Sequence, residues 1–221
     1  MPILILARHG RTEANASGRL AGRTPGVHLD DVGQEQVRRA ASRLAEVDLV
    51  RAVTSPLERC QQTATALLGE SKVEASIEPD LNEVDYGDWS NRLLKDLSRE
   101  ALWKTVQRQP SAAIFPAGES LAAMSARAVG AVRRVDADVA AASGESAIWL
   151  AVSHGDVIKA ILADALGMHL DSFQRLIVQP ASLSVVQYTA ERTFVHAMNT
   201  TDGSLSHLAP RREATPGGER A

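Results

Sequence analysis

Ile3-Leu4-Ile5-Leu6-Ala7 is apolar at every position, with no residue to mark a solvent side. A strand sends successive side chains to opposite faces, so a run like this one must be covered on both. Parallel sheets with helices on each face meet that demand. Residues 147–152 form a second such run, and residues 49–54 and 73–77 supply two more short strand candidates. Residues 183–188 and 193–198 look like a hairpin that completes the sheet.

Helical signals alternate with these strands. Asp30 caps an apolar stripe of Val37, Ala40, Ala41 and Leu44, and Ser55-Pro56 reads as an N-cap and first turn for a helix through 68. Residues 93–106 are helical in pattern, a long alanine-rich helix starts near Glu119, and a last one runs to Leu166 before Gly167. Strand–helix alternation predicts an α/β fold, a three-layer sandwich with a mostly parallel central sheet flanked by helices. The 221 residues fit a single domain, expected over 1–201 with a variable cap segment at 90–118. The polar, Gly-, Pro- and Arg-rich stretch 202–221 is expected to be a disordered tail.

The function classes narrow by charge and cysteine count. A net charge of −3 with no basic stripe points away from nucleic acid, and no stretch approaches the ~20 apolar residues of a membrane span. Cys60 is the only cysteine, which excludes an internal disulfide and suits a reducing cytoplasm. A homodimer is compatible with all of this.

Arg8-His9-Gly10 and Ser153-His154-Gly155 both follow strands, where open α/β sheets place their ligands. Arg59 follows the strand that ends at Ser55. Helix N-termini after strands favour anions, and arginines add charged, bidentate donors matched to phosphate. Flanked by Arg8 and Arg59, His9 is expected to stay neutral and nucleophilic, with His154 bonding the transferred phosphoryl group.

Four segments in order carry a resemblance. Arg8-His9-Gly10-Arg11-Thr12-Glu13-Ala14-Asn15 resembles the R-H-G-x-[ST]-x-x-N motif of the histidine phosphatase superfamily, which includes the cofactor-dependent phosphoglycerate mutases and many small phosphatases. Ser55 to Thr63 matches its S-P-x-x-R-x-x-[EQ]-T, Leu81 to Trp89 its L-x-E-x-x-[FY]-G-x-W, and Val152-Ser153-His154-Gly155 its last motif. Pro116-Ala117-Gly118-Glu119-Ser120 resembles the family's P-x-G-E-S.

The resemblance implies a phosphoglycerate mutase-like fold and a phosphohistidine on His9. Arg8, Asn15, Arg59 and His154 would form the phosphate pocket, and Glu83 would protonate the leaving oxygen and then activate water. No carboxylate cluster calls for magnesium, so neither metal nor cofactor is expected. The expected substrate is a small phosphate ester, with hydrolysis ahead of a mutase and a non-catalytic phosphate binder last. Against the mutase stand a short segment 90–115 with one proline, Pro110, and Ala14 where the dedicated glycolytic mutases carry tryptophan. Arg11 departs from the frequent Glu or Gln and is expected to add positive charge near the pocket entrance. Ser90-Asn91 replaces the usual Glu-Gly. Glu119, Lys104 and Arg108 are expected to serve helix dipole and solvent.

Overall fold

The computed structural model describes residues 2–205 and Leu208. Strands β1 (Ile3–Arg8), β2 (Leu49–Thr54), β3 (Ala75–Ile77), β4 (Ile148–Ser153), β5 (Leu183–Tyr188) and β6 (Thr193–Thr200) form one sheet in the order β3-β2-β4-β1-β5-β6. The pairs β2–β3, β2–β4 and β1–β4 are parallel; β1–β5 and β5–β6 are antiparallel. The helices are α1 (Glu13–Ala16), α2 (Asp31–Leu44), α3 (Glu58–Leu68), α4 (Leu94–Leu97), α5 (Ala101–Arg108), α6 (Leu121–Ser143) and α7 (Gly155–Ala165).

The double-sided burial expected of the first strand is met by its alternation. Leu4 and Leu6 pack with Met124, Val132 and Ile158 of α6 and α7, whereas Ile5 and Ala7 pack with Val37 of α2 and Ala64 of α3. The sheet is therefore the middle layer of a three-layer α/β sandwich, with β5 alone running against the other five strands. Among the described residues no helix is long and apolar enough to cross a membrane.

Two local expectations change. Ser55 does not cap α3: Leu57 is the N-cap residue, and the Ser55 hydroxyl bonds His154 Nε2 at 2.7 Å instead. The single helix expected over 93–106 is two, α4 and α5, separated by residues 98–100. The long helix α6 starts after Ser120, whose hydroxyl accepts from Ala123 N, close to the start expected near Glu119. At the C-terminal end, Arg43 donates to the carbonyls of Thr200 and Gly203, and Leu205 and Leu208 are buried beside α2 and β5. Packing thus extends past the expected start of a disordered tail at 202; residues 206, 207 and 209–221 of that stretch lie outside the described residues.

Candidate active site

The parallel register sets Arg8 opposite Ser153 and Thr54 opposite Val152, so three strands end level with one another. His9 N donates to the Ser153 carbonyl at 3.0 Å and Ser55 N to the Val152 carbonyl at 2.9 Å, which extends that alignment one residue past the sheet. The crevice outside these carboxyl ends is where α/β sheets bind ligands. Here it opens into a cavity of about 460 Å³ lined by Arg8, His9, Thr12, Asn15, Arg59 and Glu83 at its inner end.

His9 is buried. Its Nδ1 lies 2.8 Å from the Gly10 carbonyl, which can only accept, so Nδ1 carries the proton and Nε2 keeps its lone pair. Burial lowers the His9 pKa well below its ordinary value, the Arg59 and Arg8 charges lower it further, and the Gly10 hydrogen bond only partly opposes them. A neutral imidazole with a free Nε2 is the form that acts as a nucleophile. Burial, more than the arginines expected to do so, keeps it neutral.

Arg59 is 1% exposed and sits in the first turn of α3. Its Nη2 donates to the Gly22 carbonyl at 2.8 Å and to His154 Nδ1 at 3.2 Å. Arg8 Nη1 donates to the Val178 carbonyl at 2.6 Å. Among the described residues neither guanidinium makes an ion pair with a carboxylate, and Arg8 Nε and Arg59 Nη1 are buried without a hydrogen-bond partner. Burying a guanidinium with no carboxylate in contact is costly, and an anion at this spot would supply both the charge and the acceptors.

Glu83 extends from the loop after Leu81. Its Oε1 accepts from Val84 N at 2.9 Å, and its Oε2 lies 3.8 Å from His154 Nδ1. Burial, then the Asp156 charge, push its pKa up to about 7, against the pull of Arg59 and Arg8. A carboxyl poised near neutrality is suited to give a proton and take one back.

His154 is placed differently from Arg8, His9, Asn15, Arg59 and Glu83. It is fully buried and stands behind the cavity wall rather than on it, its ring centroid 5.3 Å from that of His9. Because Arg59 must donate to Nδ1, the His154 proton sits on Nε2 and is given to Ser55 Oγ. Burial and the Arg59 charge lower its pKa well below the ordinary range, so it too is neutral. Asn15 lines the cavity, but its Oδ1 is taken by Thr12 N and Thr12 Oγ1 in the cap of α1, which leaves its amide N–H groups as what it can offer an anion.

Arg11 does not charge the pocket entrance: its Nε is paired with Asp30 at 2.8 Å. Lys104 and Arg108 do not line the cavity; Gln107 of the same helix does. Glu119 serves no helix dipole and is instead paired with Arg127 and Arg23. A residue the motifs did not single out, Asp156, is also present, and Tyr86 of the third motif reaches it. Tyr86 donates to Asp156 Oδ2 at 2.9 Å, and Asp156 also holds Lys159 at 3.3 Å. The signal for Asp156 was its place directly after Ser153-His154-Gly155, in the first turn of a helix that opens onto the crevice. Among the described residues no cluster of three or more His, Cys, Asp or Glu is arranged to hold a metal ion.

The outer end of the cavity is of another kind. Leu20, Trp89, Leu94, Trp103, Phe115 and Ile177 wall it, with Trp89 and Trp103 stacked at 6.2 Å.

Comparison with known proteins agrees with this geometry. A family model, the histidine phosphatase superfamily (branch 1), matches residues 4–201. The chain is 31% identical to an adenosylcobalamin/alpha-ribazole phosphatase of Salmonella typhimurium, over 83% of this chain and 89% of that one. It is 30% identical to a protein of Cronobacter sakazakii named as a probable phosphoglycerate mutase, over 92% of this chain and 93% of that one. The crystal structure of the alpha-ribazole phosphatase from Shigella flexneri superposes with a TM-score of 0.78 at 28% identity, covering 90% of this chain and 96% of that one.

Proposed function

This chain belongs to the histidine phosphatase superfamily, and from that premise we propose that it hydrolyses a small phosphate monoester through a phosphohistidine on His9. One observation carries the proposal: a neutral His9 with a free Nε2 lies beside the buried Arg59 and half-buried Arg8 guanidiniums, neither in an ion pair with a carboxylate among the described residues. The phosphate dianion would take its place between Arg8 and Arg59, with the Asn15 amide as a further donor. His9 Nε2 attacks phosphorus in line, the P–O bond to the leaving alcohol breaks, and the Glu83 proton goes to that oxygen. Water then attacks the phosphorus of the P–N bond while the Glu83 carboxylate takes its proton, which releases phosphate and restores both side chains. The arginines stabilise the equatorial oxygens as metal ions do in other phosphoryl-transfer sites. His154 acts through Arg59, whose Nη2 it fixes. A cytoplasmic location fits the single, buried and free Cys60.

Rapid quenching during turnover of labelled substrate is expected to leave an acid-labile, alkali-stable label on the peptide containing His9. Label on His154, or none in an enzyme that turns over, would refute the assignment, and loss of activity to a chelator with recovery on adding metal would refute the metal-free route.

A phosphomutase is the second reading, favoured by the relative named as a mutase. Phosphorus NMR separates the two: fast isomer interconversion with negligible phosphate release would install the mutase.

A further inference from the structure

Glu83 stands on a stretch of chain that cannot hold itself in place. After the single 3₁₀ turn Pro79–Leu81, residues 82–86 belong to no helix or strand, so their carbonyls have no ladder to enter. They are held from outside. Arg127, on α6, donates through Nη1 to the Asp80 carbonyl at 2.6 Å and the Asn82 carbonyl at 2.8 Å, and through Nη2 to that of Glu83 at 3.1 Å. Arg23 adds Nε to the same Glu83 carbonyl at 2.8 Å.

Glu119 locks these two arginines together. Its Oε1 accepts from Arg127 Nη2 at 2.6 Å, Arg23 Nη2 at 2.9 Å and Asp85 N at 2.8 Å, while its Oε2 accepts from Arg127 Nε at 3.1 Å. The two loops also meet backbone to backbone, Glu119 N to the Asp85 carbonyl and Asp88 N to the Pro116 carbonyl, each at 2.9 Å. A Cβ at Gly87 would collide with the Pro116 carbonyl, and one at Gly118 with that of Asp85, so the approach is open to glycine alone.

We propose that Glu119 and Arg127 are positioning residues for the proton transfer, a clamp that fixes the backbone of Glu83 and so aims its carboxyl at the leaving oxygen. The proposal rests on Glu83 being the acid. Neither clamp residue lines the cavity. Arginine is required for its geometry: a planar fork can reach consecutive carbonyls and a carboxylate at once, which the point charge of lysine cannot. Displacement of a catalytic group by about 1 Å can cost ~10²-fold in rate.

The test is the dependence of kcat on the leaving group, which general loss of structure does not alter. Glu83→Gln, Arg127→Lys and Glu119→Gln are compared on an alkyl phosphate and on p-nitrophenyl phosphate, whose leaving group barely needs the proton. The expected result is a loss of about 10²-fold on the alkyl ester for the clamp variants but less than about tenfold on the nitrophenyl ester. Adding Arg127→Lys to Glu83→Gln should cost little more on the alkyl ester, since the aimed group is already gone. Equal losses on both esters, additive with Glu83→Gln, would overturn the clamp alone. No leaving-group dependence in Glu83→Gln itself would overturn Glu83 as the acid and the clamp with it. Should Arg127→Lys fail to fold, Glu119→Gln, nearly isosteric and still able to accept, decides on the same readout.

Discussion

At the inner end of the cavity the side chains hang from the sheet, whereas at the mouth they come from short helices and turns. His9 and Arg59 are buried, and each sits within two residues of a strand end or in the first turn of a long helix. The mouth is made by Leu94 of α4, Trp103 of α5 and Ile177, which is 67% exposed. One end carries permanent charge fixed by parallel strands; the other carries apolar surface on elements of four and eight residues. The difference separates chemistry from selection: the inner end is built to do one thing to a phosphate, and the mouth to meet whatever the phosphate is attached to.

Loss of the nucleophile at the inner end is therefore expected to remove activity on every substrate alike. His9→Ala offers no nucleophile, and a loss of about 10⁴-fold or more in kcat is expected on alkyl and aryl esters both. Steady-state phosphate release checks it, with a pre-steady-state burst that should also vanish. Residual activity that ranked substrates as the native enzyme does, within tenfold of it, would break the division between the two ends.

A second consequence concerns stability. The Glu83 pKa is raised to about 7 from 4.5, chiefly by burial. The folded state then binds this proton more tightly than the unfolded chain, so its contribution is complete below pH 4.5 and is lost as pH rises through about 7. At 1.36 kcal/mol per unit, ionised Glu83 costs the fold about 3 kcal/mol above pH 7. Glu83→Gln keeps an acceptor for Val84 N and carries no charge. At pH 5 it should match the native protein, and at pH 8 it should melt several degrees higher, at roughly 2–4 °C per kcal/mol for a chain of this size. His9 and His154 act in the opposite sense, stability being lost as pH falls below 6.5, but they are common to both proteins and cancel in the difference. Calorimetry at the two pH values measures it; equal offsets at both would mean that Glu83 is not held against its charge.

The same division governs what the sequence made legible. Ile3 to Ala7 told of a strand covered on both faces because burial leaves a periodic mark, and the residues directly after each such strand were thereby placed at one edge. Ser55 was misread because its hydroxyl had two chemically sensible uses, a cap and a histidine bond; only the neighbourhood of His154, remote in sequence, decides between them. Glu119 was misread likewise, its partners Arg23 and Arg127 being distant in the chain or a full two turns away on α6. The mouth left only a coarse mark: the expected cap segment 90–118 holds Leu94, Trp103 and Phe115, but nothing in it pointed to Ile177. A wall of Trp89, Trp103 and Ile177 is assembled from three separate segments, none periodic over enough residues to announce a shared face.

The mouth gives the smallest and most selective expectation. Trp103 is partly buried, stacks on Trp89 with an interplanar angle of 27°, and contributes nothing that reaches the inner end. Loss of apolar contact in a substrate pocket is worth about 1–3 kcal/mol and falls on substrates in proportion to the apolar surface they bring. Trp103→Ala should therefore raise KM by about tenfold for phosphate esters of bulky, ring-bearing alcohols while leaving ethyl phosphate within about threefold, with kcat on both little changed. Labelling of His9 in a rapid-quench experiment should survive, since the nucleophile and its arginines are untouched. A uniform fall in kcat across large and small esters would show that the tryptophan pair supports the Glu83 loop rather than the leaving group. The two ends of the cavity would then be one mechanical unit, and selection could not change without disturbing the chemistry.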